Sequence, residues 1–170
     1  MNVKIDKELR IMHACELGAV GVYRGHKCVA RYFFRRSIAD LDHMRSHEKS
    51  HAEIFSVILS ERGMRFCFAH KAFFWAGLFY GVAVGILGLK AIGVSTFTVE
   101  TIVERELNAA IKKLRHEQEI IEVLQAVLKD EQEHQSAGLT LSENGGVLSV
   151  FAEKAARIGA YTAKYAASAL

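Results

Sequence analysis

A chain of 170 residues with net charge +3 has room for one domain with a sizeable core, and 51% hydrophobic content excludes a disordered protein. So mild a charge does not demand nucleic acid, and with no basic, aromatic-interleaved sheet motif present, no nucleic-acid partner is expected. Proline is absent altogether, which argues against a turn-rich β architecture and predicts long helices in an all-α fold.

The opening "MNVKIDKELR" reads as charged helix rather than a cleavable leader. The first predicted helix covers roughly 4–34. A second covers 38–62, with Ser37 as its N-cap and Gly63 as its stop. A very apolar stretch follows over 66–89, and Gly88 and Gly93 mark a break. Further helices are predicted over 95–115 and 117–139. "SENGG" reads as a turn, and 147–167 forms a last helix. The cysteines Cys15, Cys28 and Cys67 are odd in number and widely spaced, without a zinc pattern, which suits a reducing compartment. There is neither a phosphate-binding glycine loop nor a nucleophile elbow.

The chain repeats itself. Glu48 and Glu131 are 83 positions apart, as are His51 and His134, and Glu16 lies 84 before Glu100. Each half therefore reads Glu, then about 31 residues, then Glu-x-x-His. The domain is accordingly read as 1–170, with two pseudo-repeated helical hairpins, about 4–62 and 95–139, joined by an apolar segment over 66–93.

The helical seams sharpen this. Leu41, Met44, Glu48, His51, Phe55 and Ile58 fall at alternating three- and four-residue steps, as do Ile120, Leu124, Val127, Glu131, His134 and Gly138. Leu9, Met12, Glu16, Ala19 and Tyr23 align in the first helix, and Thr96, Glu100, Val103 and Leu107 in the fourth. The candidate ligands thus occupy positions where a bundle wants apolar core residues. A carboxylate on a buried face is costly unless something compensates it, and four such seams facing one another need a cation. One Glu from each of two helices, plus Glu-x-x-His from each of two others, is the ferritin-like dimetal carboxylate pattern. The predicted fold is therefore a ferritin-like four-helix bundle with an extra apolar helical segment and a C-terminal helix.

Four carboxylates and two imidazoles suit iron or manganese better than zinc. Two such ions, roughly 3.5–4 Å apart, can handle one small molecule together, for diiron usually O2. Two plainer readings stand beside this one: aligned Glu and His on solvated helices, or a zinc or nickel site on the stripe His43, His47, His51. His47 and Asp130, each directly before a ligand Glu, are either outer partners of the histidines or ordinary surface residues, and His13 is similarly open. Cys15 reads as a small core residue.

The 18 residues "AFFWAGLFYGVAVGILGL", over 72–89, carry no charge and reach the usual length for a membrane crossing. Gly77, Gly81 and Gly85 form a small-residue face, and Lys71 and Lys90 flank the stretch. A single crossing would put the two halves of the metal site on opposite sides of a bilayer. The segment is therefore expected to dip in, lie on the surface or pack on the bundle, as in a peripheral membrane protein with an apolar mouth. The glycine face is expected to leave room for a flat ring or a tail. "RYFFRR", over 31–36, reads equally as a headgroup site or as a cation-rich helix end. In the last helix, Phe151, Ala155, Ile158, Tyr161 and Tyr165 are expected to cover the core rather than to anchor the chain.

These residues resemble the demethoxyubiquinone hydroxylase family over nearly the whole chain, most strongly at "ELGAVGVYRG", "HEKSHAEIF", "TFTVETIVE" and "DEQEHQSAGL". The resemblance implies a membrane-associated diiron bundle that hydroxylates the ring of a polyprenyl benzoquinone with O2 in ubiquinone biosynthesis, drawing electrons ultimately from NADH. It implies that Glu16, Glu48, His51, Glu100, Glu131 and His134 hold two iron ions. The polyprenyl quinone precursor and the membrane surface are the expected partners, beside a homo-oligomer or a lipid-binding partner protein. The location it implies is the cytoplasmic face of a bacterial inner membrane, or the matrix side of a mitochondrial one. Two positions depart from the family. "MHAC", over 12–15, stands in place of Asp-Gln-Ala-Gly, and Leu107 stands where the family has a tyrosine. The rival readings are a diiron ferroxidase or peroxide-reducing bundle, and a non-catalytic membrane-associated bundle.

Overall fold

The computed structural model of the chain describes residues 3–142 and 147–169. Among them are six α-helices and no strand: α1 (Val3–Phe33), α2 (Ile38–Glu61), α3 (His70–Ile86), α4 (Leu89–Lys113), α5 (Gln118–Ser142) and α6 (Val147–Ala169), with a single 3-10 turn at Arg35–Ser37 leading into α2. The fold class is the all-α, ferritin-like one expected from the sequence. The predicted turn at "SENGG" lies outside the described residues, apart from Ser142, which closes α5.

Two punctuation marks act as predicted. Gly63 ends α2 with φ +65° and Gly88 separates α3 from α4 with φ +108°, both in the left-handed region that a Cβ disfavours. Two others do not. Ser37 precedes α2 but makes no side-chain capping hydrogen bond. Gly93 breaks nothing: it is buried inside α4, which begins at Leu89. A Cβ on Gly93 would run into the Leu141–Ser142 backbone of α5, so its role is close helix approach rather than helix termination.

By internal contacts the chain divides into two compact units, 1–89 with 161–170, and 90–160. Each predicted hairpin falls within one of them. In the first unit α1 packs on both α2 and α3. Leu9, Leu41, Phe55 and Leu59 are wholly buried there, each contributing about 1.5–3 kcal/mol through removal from water. Leu59 takes the buried place that the seam had given to Ile58. The α1–α3 contact is backbone to backbone. A Cβ on Gly77 would collide with the Gly18 carbonyl and one on Gly81 with the Val22 carbonyl, while Gly21 and Gly25 of α1 meet the Phe74 and Leu78 carbonyls. The glycine face of α3 is thus filled by α1. It leaves no room for a ring or tail, contrary to the expectation from sequence. The opposite face exposes Trp75, Phe79 and Ile86.

The 72–89 stretch is cut by Gly88, and α3 has 17 residues. No described helix is long and apolar enough to cross a membrane.

In the second unit, α5 buries the whole predicted seam: Ile120, Leu124, Val127, Glu131, His134 and Gly138. Gly138 lies against Phe97 and Thr96 of α4. Gln135 Nε2 donates to Thr101 Oγ1 (3.0 Å) and Gln132 Nε2 to Glu104 Oε1 (3.0 Å), tying α5 to α4 at its polar edge.

The predicted inner stripe of α6 faces outward. Phe151, Ala155, Ile158, Tyr161 and Tyr165 are exposed, and the small residues Ala152, Ala156 and Ala167 are buried. At its C-terminal end Ala163, Ala166 and Ala167 pack against Ile11, Ala14, Cys67 and Phe73, with Cys15 at the cluster's margin. Alanine wins the inner face because close helix approach has no space for aromatic rings. Gly159, on the exposed side of α6, has nothing near the position of a Cβ. Gly159→Ala is therefore expected to stabilise the protein by about 0.5–1 kcal/mol through reduced chain entropy, seen as a higher midpoint in thermal unfolding.

Candidate metal centre

Four long helices each deliver a carboxylate, and two of them a histidine one turn further on. In the first unit α1 presents Glu16 and α2 presents Glu48 and His51, all at most 6% exposed. Each offers a ligand atom, and the three atoms lie within 4.8 Å of one another. His51 Nδ1 stands 3.7 Å from Glu16 Oε2. In the second unit α4 presents Glu100 and α5 presents Glu131 and His134, all at most 3% exposed. Their ligand atoms also lie within 4.8 Å of one another, and His134 Nδ1 is 3.1 Å from Glu131 Oε2. The six residues picked out by spacing are thus all buried, three together in each unit.

Residues at i and i+3 share a helix face, which brings Glu48 to His51 and Glu131 to His134. Each triad places two carboxylates and one imidazole in a low-dielectric setting. Two carboxylates at this separation repel unless a proton or a cation sits between them. Oxygen-rich donors with one imidazole per triad fit a divalent ion of the iron or manganese type, and leave coordination positions for a small molecule. The donor set therefore fits the metals the resemblance implies.

The rival stripe is less suited to hold an ion. His43 is exposed and His47 half-buried, although their ring centroids lie 4.2 Å apart with the planes tilted by 59°, and His51 belongs to the buried triad. Of the positions that depart from the family pattern, Met12 is half-buried and Leu107 is buried in α4. Seven residues after Glu16, as Leu107 is after Glu100, the first unit carries Tyr23, 2% exposed.

Two features were not legible from spacing. The first is a cavity of about 500 Å³ in the first unit, walled by His13, Leu17, Phe66, His70, Phe74 and Trp75, among others. His13 and Leu17 flank Glu16 on α1, so the cavity opens beside the first triad's helix. His13, ambiguous from sequence, is 5% exposed and its ring lies 5.0 Å from Phe66 and 5.9 Å from His70. Burial first, then the neighbouring His70, pushes its imidazole down to about 4. The one sequence signal was a polar residue three before Glu16 in an apolar run.

The second is His26, fully buried in α1 with neither ring nitrogen hydrogen-bonded. Burial pushes it down to about 3 from 6.5. Between those values the unfolded chain binds a proton that the folded one does not, so stability is full above about pH 6.5 and falls as the pH drops. His26→Leu is expected to remove that loss, with a gain of roughly 2 kcal/mol near pH 5, from 1.4 kcal/mol per pH unit, and a smaller one near pH 8. Urea midpoints of both proteins at the two pH values check this.

The family described as "Ubiquinone biosynthesis protein COQ7" matches residues 3–166. Among similar curated proteins, that of Dictyostelium discoideum is 25% identical over 139 residues, 79% of this chain and 63% of the relative. That of Mus musculus is 26% identical over 141 residues, 79% of this chain and 64% of the relative. Both relatives are named NADPH-dependent 3-demethoxyubiquinone 3-hydroxylase, mitochondrial. The chain thus spans a little under two thirds of the length of these relatives.

Proposed function

From the premise that the chain belongs to the COQ7 family of ubiquinone biosynthesis proteins, we propose that it hydroxylates the ring of a polyprenyl benzoquinone of the demethoxyubiquinone type with O2. The observation that carries this reading is the pair of buried triads, Glu16–Glu48–His51 and Glu100–Glu131–His134, each with its ligand atoms within 4.8 Å. The six residues would hold two iron ions, three of the ligands being supplied by each hairpin. When bound, the irons supply the two-electron activation of O2 that puts one oxygen atom on the ring and releases the other as water.

The chain's own residues do the rest. The four carboxylates balance the charge of the ions and the two imidazoles complete the donor set. The apolar side chains around each triad keep water out, which strengthens every electrostatic contact inside. The relatives' names give NADPH where NADH was expected from the resemblance, so a reduced nicotinamide is the electron source in this reading.

A long prenyl tail keeps the substrate in a bilayer, so the enzyme works at a membrane surface. Three features support that placement. The outer face of α3 exposes Trp75, Phe79 and Ile86. The outer stripe of α6 exposes Phe151, Ile158 and Tyr165. Tyr32 and Phe33 are exposed beside Arg31, Arg35 and Arg36, a pairing suited to anionic headgroups. The names of the relatives place them in mitochondria, which favours the matrix side among the reducing compartments considered. A second copy or a lipid-binding partner protein is a further candidate for the same exposed apolar faces.

The test is an aerobic assay of the iron-loaded protein with a short-tailed quinone precursor, a reduced nicotinamide and isotopically labelled O2. The expected product carries one labelled oxygen atom. Rapid oxidation of Fe(II) with the quinone mass unchanged overturns the proposal in favour of a ferroxidase. Absence of bound metal after loading favours a non-catalytic bundle.

A further inference from the structure

The cavity beside α1 is apolar on most of its wall, with Phe66, Phe74 and Trp75 presenting aromatic surface, yet it holds two imidazoles 5.9 Å apart. Their ring nitrogens are not equivalent. His70 Nδ1 lies 2.8 Å from the Cys67 carbonyl oxygen. A carbonyl only accepts, so this nitrogen carries a proton and donates it, and in the neutral ring Nε2 of His70 is the acceptor.

His13 is the reverse case. Its Nδ1 is buried and meets no acceptor. A buried N–H without an acceptor costs more than a bare lone pair. The proton of the neutral ring therefore resides on Nε2. The cavity thus offers one donor, from His13, and one acceptor, from His70, between aromatic walls. A ring hydroxyl satisfies both at one atom, because it accepts and donates together, whereas a carbonyl or ether oxygen only accepts. A quinone carbonyl would accept from His13 but set lone pair against lone pair at His70.

We propose that this cavity is a binding site for an aromatic ring bearing a hydroxyl group, held between His13 Nε2–H and His70 Nε2, and that it discriminates against the same ring carrying a carbonyl or ether oxygen in that place. If the function proposed above holds, its occupant is the reduced, hydroquinone form of the substrate or product ring. That last identification rests on the proposed function; the phenol site itself does not.

The test uses the 170-residue chain and three small probes of one skeleton: thymol, its methyl ether and thymoquinone. Trp75 is the only tryptophan of the chain and lines the cavity, so its emission reports occupancy of this site, and calorimetry gives the affinities. Thymol is expected to bind about ten times more tightly than the ether or thymoquinone, the worth of one well-made hydrogen bond. His13→Phe and His70→Phe are each expected to bring thymol down to within about twofold of the ether while leaving ether binding unchanged. Equal affinity for thymol and ether in the native protein overturns the proposal, as does a preference that survives both substitutions. Should one substitution collapse the cavity, shown by lost ether binding, the other variant and the native preference decide. No metal, O2 or reductant enters the titration. A phenol preference without quinone hydroxylation would sink the proposed function and leave the site standing, and hydroxylation without the preference would do the opposite.

Discussion

Glu131→Ala is expected to abolish bound iron and quinone hydroxylation together while leaving the helices in place. Glu131 is 1% exposed on the inner seam of α5, with its Oε2 3.1 Å from His134 Nδ1. Removing it takes away one carboxylate of the second triad and the group that orients His134. Loss of a mere outer partner of a metal ligand costs about 10–100-fold. Loss of a ligand is therefore expected to exceed about a hundredfold in product formed per minute. His51→Ala should do the same from the first unit, although the two residues lie 83 apart in sequence. The metal-free protein should behave differently. Two buried carboxylates repel when no cation lies between them, so Glu131→Ala relieves a cost and leaves thermal stability equal or slightly raised. Iron per chain, labelled product and helix content by circular dichroism are the three measurements. Hydroxylation within a few-fold of the parent in either variant would end the metal-ligand assignment.

The second large effect concerns folding. Gly81→Ala is expected to cost about 3 kcal/mol, at the upper end for overpacking, because the atoms its Cβ would strike belong to the Val22 backbone. Helix backbone cannot swing aside as a side chain can, so α1 and α3 must separate along their contact. In a chain of this size that is a fall of about 10 °C in the unfolding midpoint. Gly85 supplies the control on the same face. A Cβ there meets only the Val29 side chain at 3.0 Å, so Gly85→Ala should cost no more than about 1 kcal/mol. Thermal unfolding of the two variants side by side is decisive: equal losses would mean that the helices are not held backbone to backbone.

The sequence made the two buried Glu/His triads legible because their spacing is a local property. Glu-x-x-His puts both side chains on one helix face wherever that helix lies, and an acidic residue in an apolar seam announces an uncompensated charge. The all-α class was equally local, carried by the absence of proline and by the three- and four-residue steps. Gly63 and Gly88 could be placed as stops because a break in the helical pattern beside a glycine needs no knowledge of distant neighbours.

What escaped the sequence depended on distances between helices. Gly77, Gly81 and Gly85 looked like space for a ligand until α1 was found to fill it with Gly18 and Val22. Gly93 looked like a break because its neighbour, the end of α5, is nearly fifty residues away. Hydropathy puts the stripes of α6 in the wrong order because it favours Phe151 and Ile158 for the inner face, whereas Ala152 and Ala156 are the residues buried there. The cavity shared by His13, Phe66, His70 and Trp75 joins residues from α1, α3 and the loop between α2 and α3. Periodicity fixes which side chains share a face, but only tertiary packing fixes how close the next backbone comes, and that separation decides whether a face is core, cavity or surface.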